Sequence, residues 1–172
     1  MKTGPSAVEG EFLELVNGNR QRILRICRVY AWNAQDEEDL YQEILFQIWR
    51  ALPNLKEKAH ANTWLYRVAL NTAVSFVRKH TAARRGTPVA HEQLHEMLDE
   101  QTDPPLRDPK IDSLYEAIAQ LEKMEKAVIT LFLEDLSYEE MADVLGLSSS
   151  HVGVLLHRAK KKLSLLMKEE TP

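Results

Sequence analysis

Apolar positions in this chain recur every three to four residues over most of its length, and there is no period-two alternation of useful length. That spacing predicts helices and no sheet. Phe12, Leu15, Val16, Ile23, Leu24, Ile26 and Cys27 mark a helix from about Gly10 to Trp32, loosened in the middle by Asn17, Gly18 and Asn19. In the next helix Leu40, Ile44, Leu45 and Ile48 make the stripe. Asp36 is its expected cap, Glu37, Glu38 and Asp39 suit the positive end of its dipole, and Pro53 ends it. After a polar loop over Lys56 to Ala61, Asn62 or Thr63 starts a third helix carrying Leu65, Val68, Ala69, Thr72, Ala73 and Phe76, which closes in Arg78, Lys79 and His80.

Between Thr81 and Lys110 the composition turns to Arg84, Arg85, Gly86 and Pro88, then acids, then Asp103-Pro104-Pro105 and Asp108-Pro109, which reads as a linker. Beyond it Ile111, Leu114, Tyr115, Ile118 and Leu121 form one helical pattern, and Ala127, Val128, Leu131 and Phe132 another. The expected architecture is all-α: two small helical domains on a flexible tether, over residues 1–80 and 111–172, with the linker at 81–110.

The segment Leu136 to Leu163 carries the most information. Ser137 and Glu140 fit a capping box, and Gly146 fits the left-handed residue that ends a helix. Leu147 plugs the corner, and Ser148 is available to cap a second helix. Val152, Leu156, Ala159 and Leu163 commit one face of that helix to the core. The other face begins with Ser149, Ser150 and His151 and ends with Arg158, Lys160, Lys161 and Lys162. Small polar groups at the start of a helix, followed by cations, are what a DNA-reading helix-turn-helix needs. A capped hairpin with a solvated lysine run is the plainer alternative.

Charge changes this picture by being local. The formal net charge is -4, which argues against DNA binding through bulk electrostatics. Acidic clusters at Asp36 to Asp39 and Glu139 to Asp143 stand apart from basic ones at Arg20 to Arg28, Arg78 to Arg85 and Arg158 to Lys162, as separate surfaces for different partners require. The single cysteine, Cys27, cannot form an internal disulfide and reads as a small buried hydrophobe. No apolar run reaches the length of a membrane span, and the N-terminus lacks the apolar core of a secretory signal, so a cytoplasmic location without membrane insertion is expected.

With these features in place, the chain resembles a known family. The block from Asp36 to Leu55, DEEDLYQEILFQIWRALPNL, is similar to the D-x-x-D-L-x-Q-E-x-F-x-x-x-W pattern of extracytoplasmic-function sigma factors, the small sigma-70-type initiation subunits of bacterial RNA polymerase. The block from Asn62 to His80, NTWLYRVALNTAVSFVRKH, resembles their T-W-L-Y-R-I-A-x-N segment, and the tail resembles their terminal helix-turn-helix. The three lie in the family's order.

The resemblance implies a region 2-like bundle and a region 4-like helix-turn-helix domain, with no cofactor, no metal and no catalytic activity. It implies that Asp39, Leu40, Gln42, Glu43 and Phe46 serve docking on the clamp helices of the polymerase's largest subunit. It implies recognition and opening of the minus-ten element, where a base leaves the stack and enters a pocket beside the loop before the third helix. By position, the resemblance assigns the loop from Lys56 through Lys58 to Asn62 to base choice, Asn71 to a polar contact near the flipped base, and Arg67, Arg78 and Lys79 to phosphates. The terminal helix reads the minus-thirty-five element with Ser149, Ser150, His151 and Val154 near bases and Arg158 and Lys161 on phosphates. Here the chain departs from the family, which usually carries Lys or Ser and then Arg where this chain has Gly153, Val154 and Leu155. Val154 and Leu155 are expected to present apolar surface on the DNA side, where touching thymine methyls, meeting a protein partner and packing against the preceding helix are the alternatives. An anti-sigma factor is the further partner the resemblance implies.

Trp64 and Tyr66 read as core rather than as stacking platforms, with Trp64 largely buried. His91, Glu92 and His95 fit H-E-x-x-H, a zinc-hydrolase pattern, but they sit in the polar tether without a third ligand or a walled cleft, and chance explains them better. The competing function is a helix-turn-helix regulator that acts without polymerase, as a dimer on palindromic DNA.

Overall fold

The computed structural model describes residues 6–86 and 108–169, which fold into seven α-helices with no strand among them. The helices are α1 (Ala7–Tyr30), α2 (Ala34–Ala51), α3 (Ala61–Gly86), α4 (Pro109–Ala119), α5 (Lys123–Phe132), α6 (Tyr138–Leu145) and α7 (Ser149–Glu169). Single 3-10 turns at Leu52–Asn54 and Lys58–His60 join α2 to α3.

α1 runs without a break through Asn17, Gly18 and Asn19, contrary to the expected loosening. Asn19 is buried; its Nδ2 donates to the Leu15 carbonyl at 2.9 Å and to Asn62 Oδ1 at 3.4 Å, and its Oδ1 accepts from Arg22 at 3.1 Å. Those bonds offset the roughly 0.5–1 kcal/mol that a glycine costs a helix interior. Asn33 caps α2, its Oδ1 accepting from the Asp36 amide at 2.8 Å. Asp36 itself stands at the third helical position, buried, where its Oδ2 accepts from Asn33 Nδ2. Either side chain has the right chemistry for a cap; the helix begins three residues earlier than the acidic run suggested. α3 begins at Ala61 and extends past His80 to Gly86, so the six residues from Thr81 belong to the helix rather than to the linker. Proline at the first turn and the Asp108 cap start α4.

The helix-turn-helix forms as its sequence dictates. Ser137 accepts from the Glu140 amide at 3.1 Å while Glu140 accepts from the Ser137 amide at 2.7 Å. Gly146 has φ 67°, and the Ser148 hydroxyl accepts from the His151 amide at 3.1 Å.

Apolar residues of α1, α2 and α3 and those of α4 to α7 form one continuous buried cluster. α4 packs on α1, and α6 packs on α3. Glu134, whose side chain is 2% exposed, meets Arg25 across this junction. The N-terminal face of α7 stays open to solvent.

Candidate nucleic-acid and partner interface

On α2 the residues anticipated for docking separate into two groups. Leu40 is 0% exposed and sits among the core residues, which corrects its assignment to a contact surface: with Ile44 and Ile48 it fastens α2 to its own bundle. Asp39, Gln42 and Phe46 face outward and Glu43 is half-buried. Phe46 is 56% exposed, an unusual placement for a phenyl ring. Gln35 donates to Asp39 Oδ1 and Gln47 donates to Glu43 Oε1, each at 2.9 Å, so both carboxylates are held in position along the helix. Trp49, which motif reading left unassigned, continues the exposed line at 40% and meets Phe12 edge-on, with centroids 5.2 Å apart. Its spacing of three from Phe46 was the available signal.

α3 carries Arg67, Asn71, Arg78 and Lys79 as an exposed stripe. Asn71 and Lys79 line an open groove of about 520 Å³ between α2 and α3, faced from α2 by Asp39, Glu43 and Gln47. His80 lies in the same groove, stacked on Phe76 at 3.8 Å. Thus Asn71 and Lys79 come together with the Asp39 and Glu43 carboxylates. Lys56, Lys58 and Asn62 lie at the other end, roughly 14 Å along the helix axis from Asn71. Lys56 is exposed, Lys58 pairs with Glu11, and Asn62 accepts from Asn19. Arg67 is exposed yet engaged, donating to the Asp143 carbonyl at the end of α6. Tyr66 is buried; Trp64 is only half-buried, less than expected.

On α7 the residues Ser149, Ser150, His151, Val154, Arg158 and Lys161 are all exposed. Leu155 is 8% exposed and packs in the core, correcting the expectation that it faces outward. It falls three residues after Val152 and four before Ala159, on the buried stripe. Val154 keeps its outward place at 48%. Tyr138, 47% exposed at the start of α6, lays its ring toward Gly153, so the small residue leaves room for an aromatic edge beside Val154. The cations of the tail divide. Lys162 donates to the buried Glu125 at 2.8 Å and lies 3.6 Å from Glu122, while Lys160 sits 4.0 Å over the Phe132 ring. Among the described residues Arg158 and Lys161 have no such partner, and they point from the same face as Val154.

Burial sets the remaining ionisations. The Cys27 thiol, fully enclosed, is pushed up to about 12 by desolvation and then by Glu37. Tyr66 is likewise pushed up to about 12 by burial, with Glu134 adding to it. Tyr30 moves up by burial as well. The Tyr66 hydroxyl has no hydrogen-bond partner in its buried position. Among the described residues no cluster of metal-ligating side chains occurs, and no helix is long and apolar enough to cross a membrane. The His91, Glu92 and His95 motif lies outside the described residues.

The chain is similar to known proteins over most of its length. Residues 15–83 match the family model described as Sigma-70 region 2, and residues 111–163 match Sigma-70, region 4. RNA polymerase sigma factor SigV of Bacillus subtilis is 26% identical over 156 residues, covering 90% of each chain. The RNA polymerase sigma-H factor of Pseudomonas aeruginosa is 30% identical, over 87% of this chain and 82% of its own. Longer relatives are matched over less of their length, 63% in one case and 48% in another. Among solved structures, the sigma factor RpoE of Bartonella quintana, held in complex with the anti-sigma factor NepR, superposes with a TM-score of 0.68 at 18% identity, over 92% of this chain and 99% of that one.

Proposed function

This chain belongs to the extracytoplasmic-function group of the sigma-70 family, whose members direct promoter-specific initiation by bacterial RNA polymerase, and we propose how its own residues divide that work. Residues 1–80, with the added turn of α3 to Gly86, act as the polymerase-binding and minus-ten unit. Residues 111–172 act as the minus-thirty-five unit, and the intervening chain is the tether.

Docking falls to Asp39, Gln42, Glu43 and Phe46, joined by Trp49. The carboxylates suit arginines of a partner helix, and Phe46 supplies an apolar anchor that water otherwise surrounds. Asn71, exposed on α3, offers an unstacked base both a donor and an acceptor, and the loop from Lys56 through Lys58 to Asn62 serves base choice. Arg67, Arg78 and Lys79 hold the backbone phosphates. On α7, Ser149, Ser150 and His151 read base edges, Val154 contacts thymine methyls, and Arg158 and Lys161 hold phosphates.

The observation that carries this reading is the pair of family matches, in order, on a chain whose α2 turns Asp39, Gln42 and Phe46 outward while burying Leu40. The family is one of non-catalytic initiation factors that work with a cytoplasmic polymerase, and this chain is proposed to act there without enzymatic activity. Its further partner is an anti-sigma factor, a class found bound to RpoE. A self-sufficient helix-turn-helix regulator gives no reason for a polar and aromatic docking line on α2.

Size-exclusion chromatography with bacterial core polymerase is the test. The parent chain should co-elute with core, and D39A/Q42A/F46A should elute alone while keeping its helical circular dichroism. Separate elution of the parent chain would refute the assignment.

A further inference from the structure

Tyr138 opens α6, the first helix of the helix-turn-helix, and its ring reaches across to α7. A Cβ built at Gly153 would meet Tyr138 Cε2 at 3.4 Å and Cδ2 at 3.8 Å, so the ring edge lies where a longer side chain at 153 would stand. The capping box of Ser137 and Glu140 fixes the backbone from which the ring projects. Tyr138 is 47% exposed, and Val154, next to the glycine, is 48% exposed. Ser150 lies one turn before this place on α7 and His157 one turn after, both exposed. An aromatic edge and an isopropyl group thus share the open face of α7, with a glycine that adds no bulk between them.

We propose that Tyr138 and Val154 form an apolar notch, floored by Gly153, that takes the 5-methyl group of a thymine in the minus-thirty-five element. The notch rests on the minus-thirty-five reading of α7 proposed above, and it adds a specificity determinant from outside the recognition helix. From Ser149 through His157, α7 carries no lysine or arginine. The commonest specific contact, a cation forked onto guanine O6 and N7, therefore has no donor along that stretch. The thymine methyl is the apolar group that the major groove presents instead. The ring of Tyr138 does the reading, not a hydroxyl bond to the backbone. Glu139 and Glu140 follow it in exposed positions and oppose a phosphate beside it.

A methyl seated between the ring edge and the isopropyl group is shielded from water on two sides, where Val154 alone would cover one. Full burial of one methyl changes affinity by about four-fold. Cytosine fares worse than a thymine without its methyl. It turns its N4 amino donor toward apolar surface, where the donor loses water and gains no acceptor.

Methyl deletion on DNA tests the notch. Holoenzyme assembled from bacterial core polymerase and the full chain selects duplexes from a library randomised across the minus-thirty-five region. Each thymine of the selected site is then replaced by deoxyuridine, which removes only the methyl. The parent should bind one such deoxyuridine duplex about four-fold more weakly than its thymine counterpart. Y138A should bind the two nearly alike, and should bind the deoxyuridine duplex as tightly as the parent does. Y138F, which keeps the ring, should keep the discrimination. A selected site indifferent to all its methyls, or a Y138A that discriminates as the parent does, would overturn the notch. So would Y138A weakening both duplexes together, the mark of a merely structural role, or Y138F losing the discrimination, the mark of a hydroxyl contact. If the parent enriches no minus-thirty-five sequence, the functional reading of α7 fails and the notch with it. Enrichment of a sequence indifferent to its methyls fails the notch alone.

Discussion

The ring of Tyr138 lies against Gly153: a Cβ built at Gly153 meets Tyr138 Cε2 at 3.4 Å and Cδ2 at 3.8 Å. Those distances are ordinary van der Waals contact with the edge of a half-exposed ring. G153A should therefore fit, and removing backbone freedom from a helix interior should stabilise the domain by about 0.5–1 kcal/mol. Chemical denaturation checks this. A loss of stability would mean that Tyr138 is fixed more firmly than its exposure suggests.

At Gly146 the opposite holds. Its φ of 67° is unfavourable to any side chain although nothing crowds the position, so G146A should cost about 1 kcal/mol through backbone strain alone. S137A, which removes one half of the capping box, should cost a similar amount. Both losses are read from denaturation midpoints.

The cations of α7 should separate by function. R158A and K161A should each lower the salt dependence of promoter binding by the holoenzyme by roughly one unit of log–log slope. K160A and K162A should leave the slope nearly unchanged, because Lys160 covers Phe132 and Lys162 satisfies Glu125. Equal slopes for all four variants would dissolve the distinction.

Leu40 and Phe46 lie on one helix and should fail in different ways. L40A opens a cavity in the core and should lose about 2–5 kcal/mol of stability. F46A should keep the fold and weaken core binding by about 2 kcal/mol, roughly 30-fold. Titration calorimetry and thermal melts together separate the two outcomes.

Alkaline pH should destabilise the fold through Cys27 and Tyr66. Both acids are held neutral by burial at about 12, against 9 and 10 as ordinary values. Between those limits the unfolded chain has lost the protons that the folded chain retains, so stability is fully present below about pH 9 and falls as pH rises toward 12. C27A should remove the earlier part of that fall, and native Cys27 should resist alkylation at pH 8 while the denatured chain reacts.

Local chemistry was legible in the sequence, and long-range chemistry was not. Ser137, Glu140, Gly146 and Ser148 announce their turn because each acts on a backbone group within three or four residues. The outward places of Asp39, Gln42 and Val154 follow from the helical period. Leu155 is ambiguous in sequence, because it adjoins the DNA side while its spacing from Val152 and Ala159 puts it on the buried stripe. Asn33 and Asp36 are equally able to cap α2, and nothing local in the sequence chooses between them. Nothing local ties Arg25 to Glu134 or Arg67 to Asp143, partners 109 and 76 residues apart that meet only when two domains pack. Trp49 falls three residues after Phe46, so the helical period alone puts it on the same exposed line.

Multi-round transcription with core polymerase and the purified chain, followed by start-site mapping on a genomic fragment library, addresses the central claim most directly. Discrete start sites should appear only when the chain is present and disappear with D39A/Q42A/F46A. Identical, scattered initiation by core with and without the chain would contradict it.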